Sequence, residues 1–471
     1  MTSRVVVIGA GLGGLSASAL LARAGHQVTV IEGQDWIGGK SRRIEVAGQR
    51  IDTGPSLVTF PDVLNQVFET YDALGPSGES ARAIAGISLE RLPEVGRYYF
   101  KNEQANLPVE PGHPWHDAWA RFERENGKLG PSITNLLTTD PTDPGILGAV
   151  LRLLSRYGSR LTTQSYLESL SWMPEDLKDV IAIHTLNAGV SPDQTLALFG
   201  SMAAVMATDG VWVPKGGVYE IARGLGALAE HAGVTIHTGE PVLAVSKGSV
   251  TTGRGTYPAD YVVSAVDGGI LERLLGRKVS EPSRLSCSGV AIFGVLDEEL
   301  PAEIVTHSVM MPDRPAELFD SLGKRSVPSQ TMAFLNYYRA QTIYPNEKPV
   351  AALLLTAPPN GMSASLEDDF VQSESRRFSD MLGLDRSITE RMTDYTILHP
   401  QYFSGFGAVG GALYGAPAPW WRSGPFHTPA YNSPLTPWLW RVGSSVHPGG
   451  GIPAVLGGVL IATRRMLRKI G

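Results

Sequence analysis

The stretch Arg4-Val-Val-Val-Ile8, followed at once by Gly9-Ala-Gly-Leu-Gly-Gly14, decides the fold of this chain. The first five residues are an apolar, β-branched run that predicts a buried parallel strand. The spacing of apolar residues predicts a helix over 15–24, with Gly25 as its stop, and a second strand over 28–31. Together these segments predict a β-turn-α-β unit.

The glycines of this turn have separate physical roles. Gly9 permits the tight turn, Gly11 lets backbone amides approach a pyrophosphate, and Gly14 lets the helix pack closely on the strand. Glu32 directly follows the second strand, where its carboxylate can accept from both ribose hydroxyls of a nucleotide. Because a carboxylate repels a 2′-phosphate, the unit predicts a dinucleotide site that disfavours NADP.

Composition and charge narrow the class of protein. The 471 residues suffice for two or three domains, and a net charge of −6 gives no indication of nucleic-acid binding. Cys287 is the single cysteine and is expected to be a small buried side chain in a reducing compartment. No apolar run of about 20 residues predicts a membrane-spanning helix. Cleavage of an N-terminal signal would destroy the first strand, so a cytoplasmic location is expected.

A second glycine pair favours FAD over NAD. Gly38-Gly39-Lys40-Ser41-Arg42 follows the second strand, and Gly54-Pro55-Ser56 comes shortly after it. A NAD dehydrogenase would usually continue directly into a third βα unit. Glycines beside cations can instead wrap the far side of a larger nucleotide, and the long ribityl chain of FAD needs such contacts.

Four separated blocks resemble the bacterial phytoene desaturase family of carotenoid desaturases, within the flavin-containing amine oxidase superfamily. Two are the glycine turns described above, and the third is Gly210-Val-Trp-Val-Pro-Lys-Gly-Gly217. The fourth is Gly411-Ala-Leu-Tyr-Gly415 with the more specific His447-Pro-Gly-Gly-Gly-Ile-Pro453. This chain departs from the common pattern at Lys40, often arginine, and at Ser444, often aspartate.

The resemblance implies an α/β fold. We expect a Rossmann-like FAD-binding domain of the glutathione reductase and amine oxidase type, with an inserted α+β substrate domain. The FAD-binding domain is expected over 1–75, 201–285 and 426–471, and the membrane-facing substrate domain over 76–200 and 286–425. Because the C-terminal block has no cysteine, FAD is expected to be non-covalent.

The motifs and the resemblance together imply a set of site residues. No metal-ligand set is predicted, and a helix over 455–467 would direct its N-terminus at the flavin. His447 is the catalytic candidate, with a role in fixing its turn as the alternative. The expected cofactor-binding residues are Gly9, Gly11, Gly13, Gly14, Glu32, Gly38, Gly39, Lys40, Ser41, Arg42, Gly54, Pro55, Ser56, Val242 at the adenine end, Gly443, Ser444, Gly450, Gly451, Ile452 and Pro453.

The implied activity is dehydrogenation of an acyclic C40 or C30 carotenoid, with hydride transfer to the flavin N5. Phytoene desaturation and 3,4-desaturation of a hydroxylated carotenoid both fit the sequence. Quinone or oxygen would then accept the electrons. The alternatives are an amine oxidase, a carotenoid isomerase, a retinol saturase-like enzyme, or a non-catalytic FAD- or carotenoid-binding protein.

Two further features bear on the substrate domain. Residues 145–161 predict an amphipathic helix with Arg152, Arg156 and Arg160 on one side, which fits a membrane interface or a packed helix with a solvated edge. The resemblance favours peripheral association with the cytoplasmic membrane.

Aromatic residues from 403 to 440, including Tyr414 and Phe426, fit either ordinary core or an apolar tunnel. His307 is expected to be a surface or core histidine.

Overall fold

The computed structural model describes residues 2–76, 78–101, 103–417, 420–422 and 430–470. Within these ranges the strands belong to a six-stranded, a seven-stranded and a three-stranded sheet and two separate two-stranded sheets. The strands are β1 (Arg4–Ile8), β2 (Gln27–Ile31), β3 (Arg43–Val46), β4 (Gln49–Asp52), β5 (Leu89–Arg91), β6 (Gly96–Phe100), β7 (Glu103–Leu107), β8 (Trp212–Pro214), β9 (Thr235–His237), β10 (Val242–Ser246), β11 (Ser249–Thr252), β12 (Gly255–Pro258), β13 (Tyr261–Ser264), β14 (Ser288–Leu296), β15 (His307–Met310), β16 (Ala333–Tyr338), β17 (Val350–Ala357), β18 (Met392–Leu398), β19 (Asn432–Ser433) and β20 (Thr436–Arg441).

The α-helices are of ordinary length, and six of them follow one another between β7 and β8. They are α1 (Leu12–Arg23), α2 (Pro61–Leu74), α3 (Ala81–Ala85), α4 (His116–Asn126), α5 (Gly130–Thr138), α6 (Leu147–Tyr157), α7 (Thr163–Glu168), α8 (Glu175–Ala182), α9 (Met202–Asp209), α10 (Tyr219–His231), α11 (Gly268–Leu274), α12 (Pro315–Gly323), α13 (Asp369–Met381), α14 (Pro400–Ser404) and α15 (Ile452–Ile470). Among the described residues, none of these helices combines the length and the apolarity that crossing a bilayer requires.

The six-stranded sheet has the order β19-β20-β13-β1-β2-β9. All neighbours from β20 to β9 are parallel, and β19 adds an antiparallel edge. The predicted β-turn-α-β unit is confirmed, although α1 begins at Leu12 rather than at residue 15. α1 packs between α10 and α15, so segments from the start, middle and end of the chain share one core.

The seven-stranded sheet has the order β18-β14-β17-β16-β15-β6-β7 and is antiparallel except for β15 beside β6. One face is closed by an apolar cluster that includes Val371 and Phe378 of α13. The other face meets β3, β4 and α14, which connect it to the nucleotide-binding side of the molecule. This sheet combines strands from both expected insertions; the predicted domain limits stay predictions.

The predicted helix over 145–161 is partly wrong. α6 ends at Tyr157, because Gly158 has φ +60° and ψ −125°, a conformation that side-chain-bearing residues rarely adopt. Arg160 therefore lies outside the helix. The Arg156 guanidinium donates to Glu125 Oε2 at 2.7 Å and to the Tyr166 hydroxyl at 2.7 Å, so it belongs to a packed polar network rather than a solvated edge.

The predicted C-terminal helix is longer than expected. α15 covers Ile452–Ile470, whereas the sequence predicted 455–467. Pro453 fits its first turn, where a missing N–H costs nothing and φ is already suitable. The residues Ile452 and Pro453, expected beside the cofactor, therefore begin the helix itself.

The packing role of Gly14 can be tested by comparison with Gly148, a glycine in α6. A Cβ at Gly14 would overlap the carbonyl oxygen of Gly9, whereas a Cβ at Gly148 in α6 meets no neighbouring atom. We expect Gly14→Ala to lower the free energy of unfolding by about 3 kcal/mol or more, because backbone must move. Gly148→Ala should raise it by up to about 1 kcal/mol. Urea unfolding of both variants measures the difference, and equal effects would contradict the packing role of Gly14.

Candidate functional site

Three glycine turns meet at the carboxyl ends of the parallel strands. The Gly38 amide donates to the Ala10 carbonyl at 2.7 Å, and a Cβ on Gly39 would lie 3.2 Å from the Gly11 Cα. A Cβ on Gly13 would lie 3.3 Å from the Gly443 Cα. Because side chains are missing from these contacts, the three backbones come close together at the N-terminus of α1, where unpaired amides favour an anionic ligand.

Glu32 is held by backbone amides. Its carboxylate accepts from the Ala10 amide at 2.7 Å and from the Gln34 amide at 2.8 Å. Each carboxylate oxygen retains capacity for a further hydrogen bond, so the group can still accept from ribose hydroxyls. The Glu240 amide donates to the Glu32 carbonyl at 2.8 Å, which brings the start of β10 and its Val242 to the same end of the site.

Two cations follow the second glycine pair. The Lys40 ammonium donates to the Leu413 carbonyl at 2.7 Å, and burial lowers its pKa while Asp267 opposes that shift. The Arg42 guanidinium donates to the Tyr402 hydroxyl at 3.0 Å, and the Arg42 carbonyl accepts from the Thr53 amide at 2.8 Å. These bonds bring segments 38–42 and 53–56 together beside the 402–414 region.

Exposed residues lie between these segments, and we call this exposed region the cleft. Tyr414 leaves 37 % of its surface accessible, and the protein around its ring raises the pKa of its phenol. A Cβ on Gly450 would lie 3.2 Å from the Tyr414 ring. Lys40 and Ser444 are also exposed, although both lie among the glycine turns. The cleft therefore has bare backbone, a cation and an aromatic ring in its walls.

His447 is packed into the turn that precedes α15. Its carbonyl accepts from the Tyr431 hydroxyl at 2.8 Å and lies against Gly458 of α15. Burial, with a smaller contribution from Arg465, lowers the pKa of the imidazole to about 4, and its Nε2 has no hydrogen-bond partner. These contacts fit the turn-fixing alternative, and a catalytic role for His447 stays a prediction.

Beyond the glycine turns, the seven-stranded sheet contributes an apolar surface. Phe334, Ala352 and Leu354 point toward the nucleotide-binding side and are only partly buried, whereas residues on the opposite face of the sheet are closed off. Phe334 faces Leu354 directly across the strand pair. We call these three residues the open floor. They offer an apolar support for a long hydrocarbon beside the cleft.

The predicted cofactor residues converge on one region of the molecule, but their contact with a cofactor stays a prediction. Sequence reasoning missed Asp267, which lies near Lys40 and Gly415. Asp267 follows the carboxyl end of β13, and that position in a parallel sheet is a signal that could have found it. Among the aromatic residues, Tyr431 and Trp440 are core, Tyr414 borders the cleft, and Phe426 lies outside the described residues.

Two single residues match their predicted environments. Cys287 is buried, and burial raises its pKa to about 12, so the thiol stays protonated. His307 is a core histidine, 1 % exposed.

Residues 12–298 match the family model described as flavin containing amine oxidoreductase. The match covers more than half of the chain, and the protein belongs to this family. Membership confirms the flavin cofactor expected from the sequence. A solved structure of putrescine oxidase with bound putrescine aligns with a TM-score of 0.64 and 15 % identity, over 100 % of this chain and 99 % of that one. This likeness confirms the predicted fold.

Curated relatives align over nearly the whole chain. A 4,4'-diapolycopene oxygenase from Methylomonas sp is 28 % identical and covers 97 % of each chain. A hydroxyneurosporene desaturase from Rubrivivax gelatinosus is 29 % identical, over 99 % of this chain and 93 % of that one. A zeta-carotene-forming phytoene desaturase from Myxococcus xanthus is 26 % identical, over 98 % and 94 %. The similarity to the phytoene desaturase type, expected from four blocks, thus extends along the chain.

Buried histidines make the stability of this protein sensitive to acid. Burial lowers the pKa of both His184 and His307 to about 4, below the unfolded value of about 6.5. The unfolded chain therefore binds more protons between these values, and stability is lost as pH falls from 6.5 toward 4. We expect the titration of each histidine to lower the free energy of unfolding by about 2 kcal/mol when the pH falls from 7 to 5.

Urea unfolding at the two pH values measures this loss, and His307→Leu isolates one contribution. The variant should lose about 2 kcal/mol less than the wild type on acidification, because leucine does not titrate. His184 is left unchanged in this variant, and its Nε2 stays hydrogen-bonded to the Tyr98 hydroxyl at 2.9 Å, so the pH dependence that remains reports on His184. An identical pH dependence for wild type and variant would contradict the assignment to His307.

Proposed function

We propose that this protein is a FAD-dependent carotenoid desaturase that removes hydrogens from an acyclic C40 or C30 carotenoid. The near full-length similarity to enzymes named for carotenoid substrates carries the proposal. The open floor beside the glycine turns supports it, because a polyene needs apolar support and few polar partners. The proposed FAD-binding domain comprises 1–75, 201–285 and 426–471, and the substrate domain comprises 76–200 and 286–425.

The residues present fit FAD. The backbone from Gly9 to Gly14 would hold the pyrophosphate at the N-terminus of α1, and Glu32 would accept from the ribose. Lys40, Arg42 and the Gly54–Ser56 segment would hold the ribityl side, and Gly450 and Gly451 would leave room for the ring system. When bound, FAD supplies the acceptor for a hydride from the substrate.

The chain itself contributes positioning and exclusion of water. The open floor would hold the extended hydrocarbon flat, and Tyr414 would close the opposite side near Gly450. Two hydrogens leave the substrate, one as the hydride and one as a proton that passes out to bulk water, so a carbon–carbon double bond forms. Because the conjugated chain delocalises the developing positive charge, alignment in a dry cleft supplies much of the rate. Quinone or oxygen would reoxidise the cofactor.

Pigment analysis tests the reaction. We expect expression in hosts that make phytoene, lycopene and a hydroxylated acyclic carotenoid separately to yield a longer-wavelength pigment with at least one of them. Mass spectrometry should find a product that has lost two hydrogens; a gain of oxygen would instead match the oxygenase relative. Purified protein that contains FAD but leaves every carotenoid unchanged would contradict the proposal, and amine-dependent peroxide formation would support an amine oxidase.

We also propose that the protein binds the membrane surface through α6. Leu147, Leu151 and Leu154 are 57 %, 56 % and 53 % exposed and recur at helical spacing, with exposed Arg152 between them. The opposite face, Ala149, Leu153 and Tyr157, is buried. A rigid helix with one exposed apolar stripe and a neighbouring cation suits an interface with anionic lipid headgroups.

Vesicle binding tests this surface. We expect the triple change Leu147→Gln, Leu151→Gln and Leu154→Gln to reduce co-sedimentation with vesicles of phosphatidylcholine and phosphatidylglycerol by more than about 10-fold, because each leucine loses apolar burial. Leu243→Gln is the matched control, since Leu243 is 60 % exposed in β10. Equal binding of the triple variant and the control would remove α6 from the proposal.

A further inference from the structure

A buried glutamate lies in the turn between β9 and β10. Glu240 is 1 % exposed, and its backbone amide donates to the Glu32 carbonyl at 2.8 Å. The preceding amide, that of Gly39's distant counterpart Gly239, donates to the Gln34 carbonyl at 2.8 Å. The backbone of this turn is therefore joined to the segment that follows β2, where Glu32 is proposed to accept from the ribose of FAD.

The Glu240 carboxylate is held by side chains of the three-stranded sheet. Its Oε1 accepts from the Thr252 hydroxyl at 2.6 Å and from the Tyr257 hydroxyl at 2.9 Å, and its Oε2 accepts from Arg254 at 3.4 Å. Arg254 also donates to the Gly239 carbonyl at 3.1 Å. Hydrogen bonding from Thr252 lowers the pKa of Glu240 more than burial raises it, so the carboxylate stays an acceptor. These bonds replace the ones that a buried charge loses to water.

Glu240 thus connects two sheets through a single residue. Its backbone is bonded to the end of the six-stranded sheet, and its side-chain partners belong to β11, β12 and the turn between them. β10 begins two residues later, at Val242. A Cβ on Gly33 would lie 3.5 Å from the Pro241 Cα, so the chain passes close to the Glu32 segment before β10 begins. The position of Val242 relative to Glu32 therefore depends on the bonds of Glu240.

Side-chain packing at the start of β10 is sparse. Pro241, Leu243 and Ala244 are exposed, and Val242 is only partly buried. The pairing of β10 with β11 is irregular between Val242 and Ala244. Because few apolar contacts restrain this backbone, the polar bonds of Glu240 supply much of what fixes it.

We infer that Glu240 is a positioning residue for the adenine end of FAD: it fixes the backbone around Val242 against Glu32 and does not contact the cofactor itself. The inference rests on the proposed placement of FAD and is independent of the substrate. A displaced backbone here would weaken contacts to the AMP half of FAD. The flavin half would be unaffected, because it is assigned to the segments 38–42 and 54–56.

Two flavins that differ by the AMP half, FAD and FMN, test the inference. The full-length chain is stripped of flavin, and each dissociation constant is measured from the change in flavin fluorescence on binding. We expect the wild type to bind FAD more tightly than FMN. Glu240→Gln should raise the dissociation constant of FAD by about 10-fold, the loss expected for one charge-assisted hydrogen bond, and change that of FMN by less than about 2-fold.

A second variant leaves Glu240 in place. Tyr257→Phe removes one donor to the carboxylate and should raise the FAD constant by about 3-fold, with FMN unchanged. Glu374→Gln is the matched control, because Glu374 is 2 % exposed, accepts from the Thr331 amide at 2.7 Å and lies in α13, away from the glycine turns. It should lower the temperature of thermal unfolding and leave both dissociation constants at wild-type values.

FAD release from intact holoenzyme gives a second measurement that needs no stripping. After dilution, the recovery of flavin fluorescence should be faster for Glu240→Gln than for the wild type and for Glu374→Gln. Thermal unfolding of each variant identifies any that fail to fold, and Tyr257→Phe then carries the test.

Three results would overturn the inference. The first is a wild-type FAD constant in both Glu240→Gln and Tyr257→Phe. The second is an equal loss for FAD and FMN, or an equal loss of FAD in Glu374→Gln, because general destabilisation would then explain the effect. The third is a wild type that binds FAD and FMN equally, which would also remove the proposed adenine site. No measurement here uses a carotenoid, so pigment analysis detects failure of the desaturase proposal separately.

Discussion

The structure depends on the close approach of glycine backbones from three distant parts of the chain. A Cβ on Gly39 would lie 3.2 Å from the Gly11 Cα, and a Cβ on Gly13 would lie 3.3 Å from the Gly443 Cα, so these backbones approach more closely than side chains usually permit. Since these turns close the carboxyl ends of parallel strands, they bring the N-terminus of α1 to the floor of one cleft. A side chain at Gly14 would separate α1 from β1 and shift every contact built on it.

The two large sheets contribute different surfaces around these glycine turns. One contributes polar groups and the other contributes an apolar face. The parallel sheet supplies backbone amides, Glu32 and nearby cations, which suit a charged nucleotide. The seven-stranded sheet supplies the open floor, and the buried side chains of His307 and Asn336 lie on the same face. Under the proposed function, this division would let the charged cofactor and an apolar substrate bind side by side, each in a matching environment.

Buried hydrogen bonds between polar side chains connect the helices of the substrate region to one another. Asn126 Oδ1 accepts from Tyr166 at 2.6 Å and from Ser201 at 2.8 Å, and Arg156 joins the same network. Arg465 of α15 pairs with Asp140 at 2.5 Å, just before α6. These bonds hold the inner face of α6 to the domain, so its exposed leucines are presented by a rigid support rather than a loose segment.

Local patterns in the sequence were enough to predict the β-turn-α-β unit, the glycine turns and the environment of Cys287, because each depends on residues close together in the chain. The motifs also pointed to a flavin, which family membership bears out. Tertiary structure decided the ion pair between Arg156 and Glu125 and the position of Asp267 near Lys40. The alignment of His307, Asn336 and Ala352 in one row across three strands likewise required strand pairing, because register between distant strands is set by packing and cannot be read along the chain.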